Sequence, residues 1–115
     1  MIADIVITDV SNNTVISQID NIKLDNKHSF EYKDNSNNLC KINVLKDGLQ
    51  LDEECSDHFL KLYLTKSSSY ALVCTEQGDI KLNAKIVDFL IKNDILVMRY
   101  IVEENEREIK VIYRS

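Results

Sequence analysis

Apolar and polar residues alternate along most of this chain, which is the period of a β-strand with one face on a core and the other on water. The alternation is clearest in three runs, whose apolar members are Cys40, Ile42 and Val44; Leu60, Leu62 and Leu64; and Ile109, Val111 and Tyr113. Each run predicts a half-buried strand. Because helical spacing is rare elsewhere, the pattern predicts an all-β protein.

Turn-forming residues separate these runs at the short intervals typical of barrels and sandwiches. The turn signals are Asn12-Asn13, Asp25-Asn26, Asn35 to Asn38, Asp47-Gly48, Ser67 to Ser69, Gln77-Gly78, Asn93-Asp94 and Glu104-Asn105. They divide the chain into about 8 to 10 strands. A two-residue type I′ turn needs positive φ at both central positions, which Asp-Gly tolerates, so we predict a hairpin from Val44 to Leu51 turning at Asp47-Gly48.

The segment from Ile80 to Lys92 carries two competing patterns. Its second half has apolar residues at helical spacing, at Ile86, Phe89 and Leu90, whereas its first half alternates strictly from Ile80 onward. We interpret the segment as one long strand, interrupted by a bulge or a short turn near Asp88.

A sheet made of sequential hairpins exposes two edges, and this chain has no proline to protect them. Closing the sheet on itself removes that problem. With no linker, repeat or low-complexity segment, the sequence predicts one domain over residues 1–115. Its expected fold is a single closed or nearly closed antiparallel up-and-down β-barrel.

The order and spacing of several segments resemble the YwiB-like family of uncharacterised bacterial proteins. The matching segments are Phe30-Glu31-Tyr32, Asp47-Gly48-Leu49, Tyr70, Thr75-Glu76-Gln77-Gly78 and Ile95-Leu96-Val97-Met98. The strand after Gly48 departs from the family pattern, since it reads Asp52-Glu53-Glu54-Cys55 where a basic residue and a glycine are usual. The resemblance implies a calycin-like or lipocalin-like barrel with a possible internal cavity, and it supplies no catalytic residues.

Charge and composition exclude several functional classes. The net charge is -5 and the 14 basic residues are scattered, which disfavours binding to nucleic acid. No apolar stretch approaches the roughly 20 residues of a membrane span, and the N-terminus does not resemble a secretion signal. The three cysteines, Cys40, Cys55 and Cys74, are odd in number, which rules out a fully paired disulfide framework within one chain. A reducing compartment fits this better, so we expect a cytoplasmic protein.

The candidates for chemistry each have a structural explanation. Asp52, Glu53, Glu54, Asp57 and His58 form the densest ionisable cluster, but the segment lacks the glycine of a calcium loop, so a solvated loop is the preferred interpretation. The serines at 67–69 lack the glycines of a nucleophile elbow or phosphate loop. Cys74 lies in an apolar strand without a basic neighbour. No metal-ligand spacing is present, and we expect no catalytic residue, metal or cofactor.

Arg99 is the one residue for which the sequence suggests ligand contact. It shares strand parity with Ile95, Val97 and Ile101, and a guanidinium on an aliphatic face must be paired or reach water. We predict that Arg99 points at least partly inward near a rim, where it would contact a polar ligand. The competing interpretation is that this face turns outward, or that Arg99 pairs with a carboxylate of a neighbouring strand.

These observations favour a non-enzymatic binding module, in which the barrel accommodates a small apolar or amphipathic molecule or uses its rim to bind a protein. The alternative is a protein-directed inhibitor or adaptor with an acidic surface. An enzyme ranks third because no nucleophile and base converge in the sequence. The small number of Gly and Ala residues leaves open a barrel filled by its own side chains.

Overall fold

The computed structural model describes all 115 residues as ten β-strands joined by short turns, with no helix. The strands are β1 (Ile2–Asp9), β2 (Thr14–Lys23), β3 (Ser29–Lys33), β4 (Leu39–Leu45), β5 (Gly48–Glu54), β6 (Phe59–Thr65), β7 (Ser69–Thr75), β8 (Gly78–Lys92), β9 (Ile95–Val102) and β10 (Asn105–Arg114). The predicted all-β class is confirmed. No helix in the chain is long and apolar enough to cross a membrane.

The ten strands form one antiparallel sheet that curls into a nearly closed barrel. Strands β3 to β10 follow chain order, β1 returns to pair with β10, and β2 lies outside β1. The two edges of the sheet are therefore β2 and β3, and we call the gap between them the seam. One hydrogen bond crosses the seam: the Gln18 backbone N–H donates to Asn35 Oδ1 at 3.4 Å.

Strand β8 forms the corner of the barrel. Its first part pairs with β7 up to Asn83, and its second part pairs with β9 from Ala84 onward. The pairing with β9 shifts register between Ile86 and Asp88, so one residue is bulged there. The prediction of a long strand with an irregularity near Asp88 is confirmed.

Alternate residues of the strands point inward and form a core of 19 buried apolar side chains. The largest fully buried ones are Ile5, Ile42, Leu49, Leu64, Leu96, Met98, Ile109 and Val111. They fill one half of the barrel, which we call the packed half. The segment between β2 and β3 covers its end: Leu24 is buried, and the Tyr113 hydroxyl donates a hydrogen bond to Lys27 O at 3.3 Å.

The hairpin between β4 and β5 is present, but the predicted turn is wrong by one residue. Leu45 pairs with Gly48, so Lys46 and Asp47 are the two turn residues, and neither has positive φ. Gly48 instead begins β5, where a Cβ would lie 1.7 Å from Leu64 O of β6. The glycine is needed for the close approach of two strands, which sequence patterns do not distinguish from a turn requirement.

Candidate functional site

A cavity of about 430 Å³ occupies the half of the barrel opposite the packed half. Of the 20 residues that line it, 11 are hydrophobic. The complete lining consists of Ile7, Ile16, Ser17, Tyr32, Asp34, Asn35, Ser36, Asn38, Cys40, Leu51, Glu53, Leu60, Leu62, Ala71, Leu82, Tyr100, Val102, Glu103, Asn105 and Arg107. The volume lies within the roughly 300 to 1,000 Å³ of small-molecule sites. The barrel is thus solid at one end and hollow at the other.

The apolar part of the lining comes from the same strand alternation that builds the core. On β5, for example, Leu49 belongs to the packed half and Leu51, two residues further, lines the cavity. The same step leads from Leu64 to Leu62 on β6. Ala71, which pairs with Leu62, is nearly fully buried and contributes only a methyl group to this wall. The short side chain leaves space that a larger one would fill.

One residue of the cavity lining has a buried polar atom without a partner. Ser17 lies on β2 opposite Ile7, and its Oγ is buried with no hydrogen-bond partner in the protein. Buried hydroxyls in folded proteins are almost always hydrogen bonded, and a missing partner is commonly a water or a ligand. Ser17 lines the cavity, so a rotation of its side chain would bring this hydroxyl within reach of a bound molecule.

The acidic side of the cavity lies where β5 meets the loop between β3 and β4. Glu53 continues the inward parity of Leu49 and Leu51, and its Oε1 accepts hydrogen bonds from Asn38 Nδ2 at 3.2 Å and from Cys55 Sγ at 3.5 Å. Asp34 accepts the backbone N–H groups of Ser36 and Asn38, each at 2.9 Å. Asp34 therefore holds the loop in shape, whereas Glu53 keeps its second oxygen free.

The thiols beside these carboxylates are in their neutral form near pH 7. Burial, reinforced by the negative charges of Glu53 and Asp34, raises the pKa of Cys40 to about 12. Partial burial and the adjacent Glu53 raise the pKa of Cys55 to about 11. A thiol in this state donates a weak hydrogen bond and does not act as a nucleophile.

The opposite side of the cavity carries its single basic residue. Arg107 lies on β10 with the same parity as the buried Ile109 and Val111, and it pairs with Tyr100 of β9. The residue is exposed and lines the cavity. Burial raises the pKa of Tyr100 to about 12, while the neighbouring Arg107 acts in the opposite direction.

The structure places Arg99 outside the barrel and not in the cavity. On β9 the inward positions are Leu96, Met98 and Tyr100, so the face that Arg99 shares with Val97 is the outer one. The prediction that Arg99 points inward is therefore wrong.

The environment of Arg99 agrees with the competing interpretation, in which its face turns outward or it pairs with a carboxylate of a neighbouring strand. Its side chain is 42% exposed, with Nη2 at 3.0 Å from Glu108 Oε2 and Nε at 3.7 Å from Glu106 Oε2. Both carboxylates belong to the neighbouring strand β10. Arg99 is thus paired on the outer surface, where two β-strand carboxylates share its charge.

Strand alternation also separates the acidic cluster noted in the sequence. Glu53 faces the cavity, whereas Asp52 has the opposite parity and accepts hydrogen bonds from Gln50 Nε2 at 3.1 and 3.3 Å. Asp57 and His58 lie in the turn after β5, with Oδ1 and Nδ1 2.7 Å apart, and this contact lowers the pKa of Asp57. The five ionisable residues of the cluster do not converge on one point.

The serine run and Cys74 do not contribute to the cavity. Thr65 Oγ1 donates to Ser68 O at 2.7 Å and accepts the Ser68 N–H at 3.0 Å, and Ser69 Oγ donates to Thr65 O at 2.8 Å. These contacts close the turn between β6 and β7. Cys74 is partly buried near the end of β7, and burial together with Asp79 raises its pKa.

Sequence reasoning missed the polar residues that do line the cavity. Glu53 and Arg107 each continue the inward parity of an apolar run, Leu49 and Leu51 in one case and Ile109 to Tyr113 in the other. Glu53 and Arg107 each share a strand face with apolar residues, as Arg99 does, so the same reasoning from alternation indicates both as candidates. Nothing in the sequence indicates that Ser17 Oγ lacks a partner.

Comparison of the chain with family models, curated proteins and solved structures gives no match. The resemblance to the YwiB-like proteins therefore stays a prediction. The function has to be argued from the geometry of the barrel alone.

Proposed function

We propose that this protein is a non-enzymatic, calycin-like binding barrel of the bacterial cytoplasm, related to the YwiB-like proteins, that takes a small apolar or amphipathic molecule into its cavity. The observation that carries the proposal is the cavity of about 430 Å³, with its apolar walls and the unpartnered Ser17 Oγ. A site of this kind, mostly apolar with a few polar groups, is the usual form of a small-molecule pocket. The three free thiols favour the cytoplasm.

Binding of a neutral apolar fluorophore, N-phenyl-1-naphthylamine, tests this proposal directly. Its emission rises when it leaves water, and we expect saturable binding to the wild-type protein. Replacing Ala71 by Leu adds apolar volume to the cavity wall and should weaken binding several-fold, since the space available to the ligand shrinks. Circular dichroism and thermal unfolding check that the variant is folded.

The matched control is Ala84→Leu on β8. Ala84 packs against the core beside the cavity but does not line it, so the same substitution there should weaken binding much less than Ala71→Leu does. Equal loss of binding in both variants, or no saturable binding to the wild-type protein, would refute a ligand site in the barrel.

A second candidate function, a protein-directed inhibitor or adaptor, is favoured by a different observation. The second part of β8 carries three exposed aliphatic residues within five positions, Val87, Leu90 and Ile91, each more than 40% exposed. Exposed apolar residues that lie together often mark protein contacts. A wild-type barrel that excludes the fluorophore would favour this surface role.

A further inference from the structure

We propose that the ligand of the cavity is a cationic amphiphile, a molecule with a protonated amine that contacts Glu53 and an apolar tail that contacts the leucine-lined wall. This inference rests on the proposed function and adds the chemistry of the head group. Its support comes from the charges of the lining, the hydrogen bonds of Glu53 and the unpartnered Ser17.

The lining carries more negative than positive charge. Asp34, Glu53 and Glu103 are acidic, and Arg107 is the single basic residue. Asp34 is occupied by the loop it shapes. The salt bridges of the protein lie elsewhere, on the outer face at Arg99, at Arg114 with Asp4 and in the turn at His58. Glu53 therefore forms no salt bridge with a cation of the chain.

Glu53 is placed where a carboxylate needs a partner. It is half-buried and points inward from β5, and a carboxylate withdrawn from water is costly unless it is hydrogen bonded or meets a positive charge. Both of its protein hydrogen bonds end on Oε1, one from an amide and one from a neutral thiol. The free Oε2 can accept from an ammonium group, and charge-assisted hydrogen bonds are the stronger kind.

Ser17 is an independent observation that points to a ligand. Its Oγ exposes less than 1 Å² and has no hydrogen-bond partner. The residue lines the same cavity as Glu53, from the edge strand β2. An ammonium group has three N–H donors, so donors remain after one of them has bonded to Glu53 Oε2. Glu53 Oε2 is one acceptor for such a head group, and Ser17 Oγ becomes a second when its side chain rotates toward the cavity.

The apolar wall accounts for the tail. Leu51, Leu62 and Leu82 line the cavity, and the first two lie two residues from Leu49 and Leu64 of the packed half. Burying the methylene groups of a tail against such a wall favours binding. A ligand that carried only the amine would leave this surface unfilled.

Three probes with the same tail and different head groups separate the possibilities: octylamine, octanol and octanoate, titrated calorimetrically into the wild-type protein at pH 7 and about 0.15 M salt, where long-range attraction is screened. We expect octylamine to bind about tenfold more tightly than octanol, because hydrogen bonds to charged groups are the stronger class. Octanoate should bind most weakly. This series needs no variant, so it does not depend on the folding of a mutant.

Glu53→Gln should reduce octylamine binding to the level of octanol and leave octanol unchanged. The matched control is Glu54→Gln, one residue further on β5, where the side chain is exposed and has the outward parity. This control removes the same net charge, so it should leave octylamine binding intact. An equal effect of both variants would show that octylamine responds only to the overall negative charge, which would overturn the proposal.

Other results overturn it in distinguishable ways. Equal affinity for octylamine and octanol would refute the cationic head group and leave the apolar cavity standing as the ligand site. Preference for octanoate that is lost in Arg107→Gln would assign the head group to Arg107 instead. Failure of all three probes and of N-phenyl-1-naphthylamine would refute both the head group and the proposed function.

Discussion

Gly48→Ala tests whether this glycine is needed for the approach of two strands. The added Cβ would lie 1.7 Å from Leu64 O and 2.9 Å from Thr65 Cα, whereas real Cβ atoms do not come within 3.0 Å of such neighbours. Strands β5 and β6 would have to separate by more than about 1 Å at this point, compared with a normal spacing of about 4.8 Å. Both contacting atoms are backbone, so no side chain can move aside.

The expected cost follows from the hydrogen bonds at this point. Gly48 pairs with Thr65 and Leu49 with the fully buried Leu64, so separating the strands weakens backbone hydrogen bonds that water cannot easily replace. Each buried group left without a partner costs about 1 to 3 kcal/mol, and overpacking adds a similar amount. We expect a loss of about 3 kcal/mol or more in the free energy of unfolding.

Urea denaturation followed by far-ultraviolet circular dichroism measures this loss, and the transition midpoint should fall without a large change in the m-value. Gly78→Ala is the comparison. Gly78 has φ of +127°, and no atom lies within 4 Å of the place that an added Cβ would take, so only backbone strain of about 1 to 3 kcal/mol is expected. A Gly48→Ala protein as stable as wild type would refute the steric argument, since Ala at a compatible glycine position stabilises by about 0.4 to 1 kcal/mol.

Three further predictions concern single side chains. Arg99→Met should cost less than about 1 kcal/mol in urea denaturation, because the side chain is 42% exposed and its ion pairs are at the surface; a loss near 3 kcal/mol would indicate a buried role. Ellman's reagent should find three thiols in the denatured, non-reduced protein and react most slowly with Cys40 in the native one, because this thiol is 3% exposed and has a pKa of about 12; a smaller total in denaturant would reveal a disulfide. Stability should fall as the pH rises from about 10 to 12, because an unfolded tyrosine loses its proton near pH 10 while the pKa of Tyr100 is about 12 in the fold. Tyr100→Phe should lessen this alkaline loss, and an unchanged pH dependence would contradict the assignment.

The sequence predicted the fold well because alternation is a direct consequence of strand geometry. The inward parity of Ile42, Leu62 and Ile109 could be read from the sequence, as could the irregularity in β8. The exact residues at which the chain turns were harder to predict from the sequence. Asp47-Gly48 suits a tight turn, yet the chain turns one residue earlier, at Lys46-Asp47. Gly48 is needed instead for the close approach of β6, which the residues around the turn do not reveal.

The candidate site was harder to predict because parity does not say which face is inside. Strand β9 is aliphatic on both faces, with Val97 outside and Met98 inside, so the pattern around Arg99 fits either orientation. The cavity depends on how ten strands curve together and on which side chains fall short of the centre. The short side chain of Ala71 and the unsatisfied Ser17 acquire their meaning only in three dimensions.

The pairing of β1 with β10 has a consequence for how the chain reaches its native state. Strands β3 to β10 are joined by consecutive local hairpins, whereas Ile2 must find Arg114 at the other end of the chain. Such a contact closes a very long loop, and non-local pairing slows folding. During synthesis the β1–β2 hairpin emerges before the other strands. Aliphatic side chains such as Ile5 therefore stay exposed until β10 has also left the ribosome. The cavity, one wall of which includes Ile7 and Ser17, is therefore complete only after β1 has docked against β10.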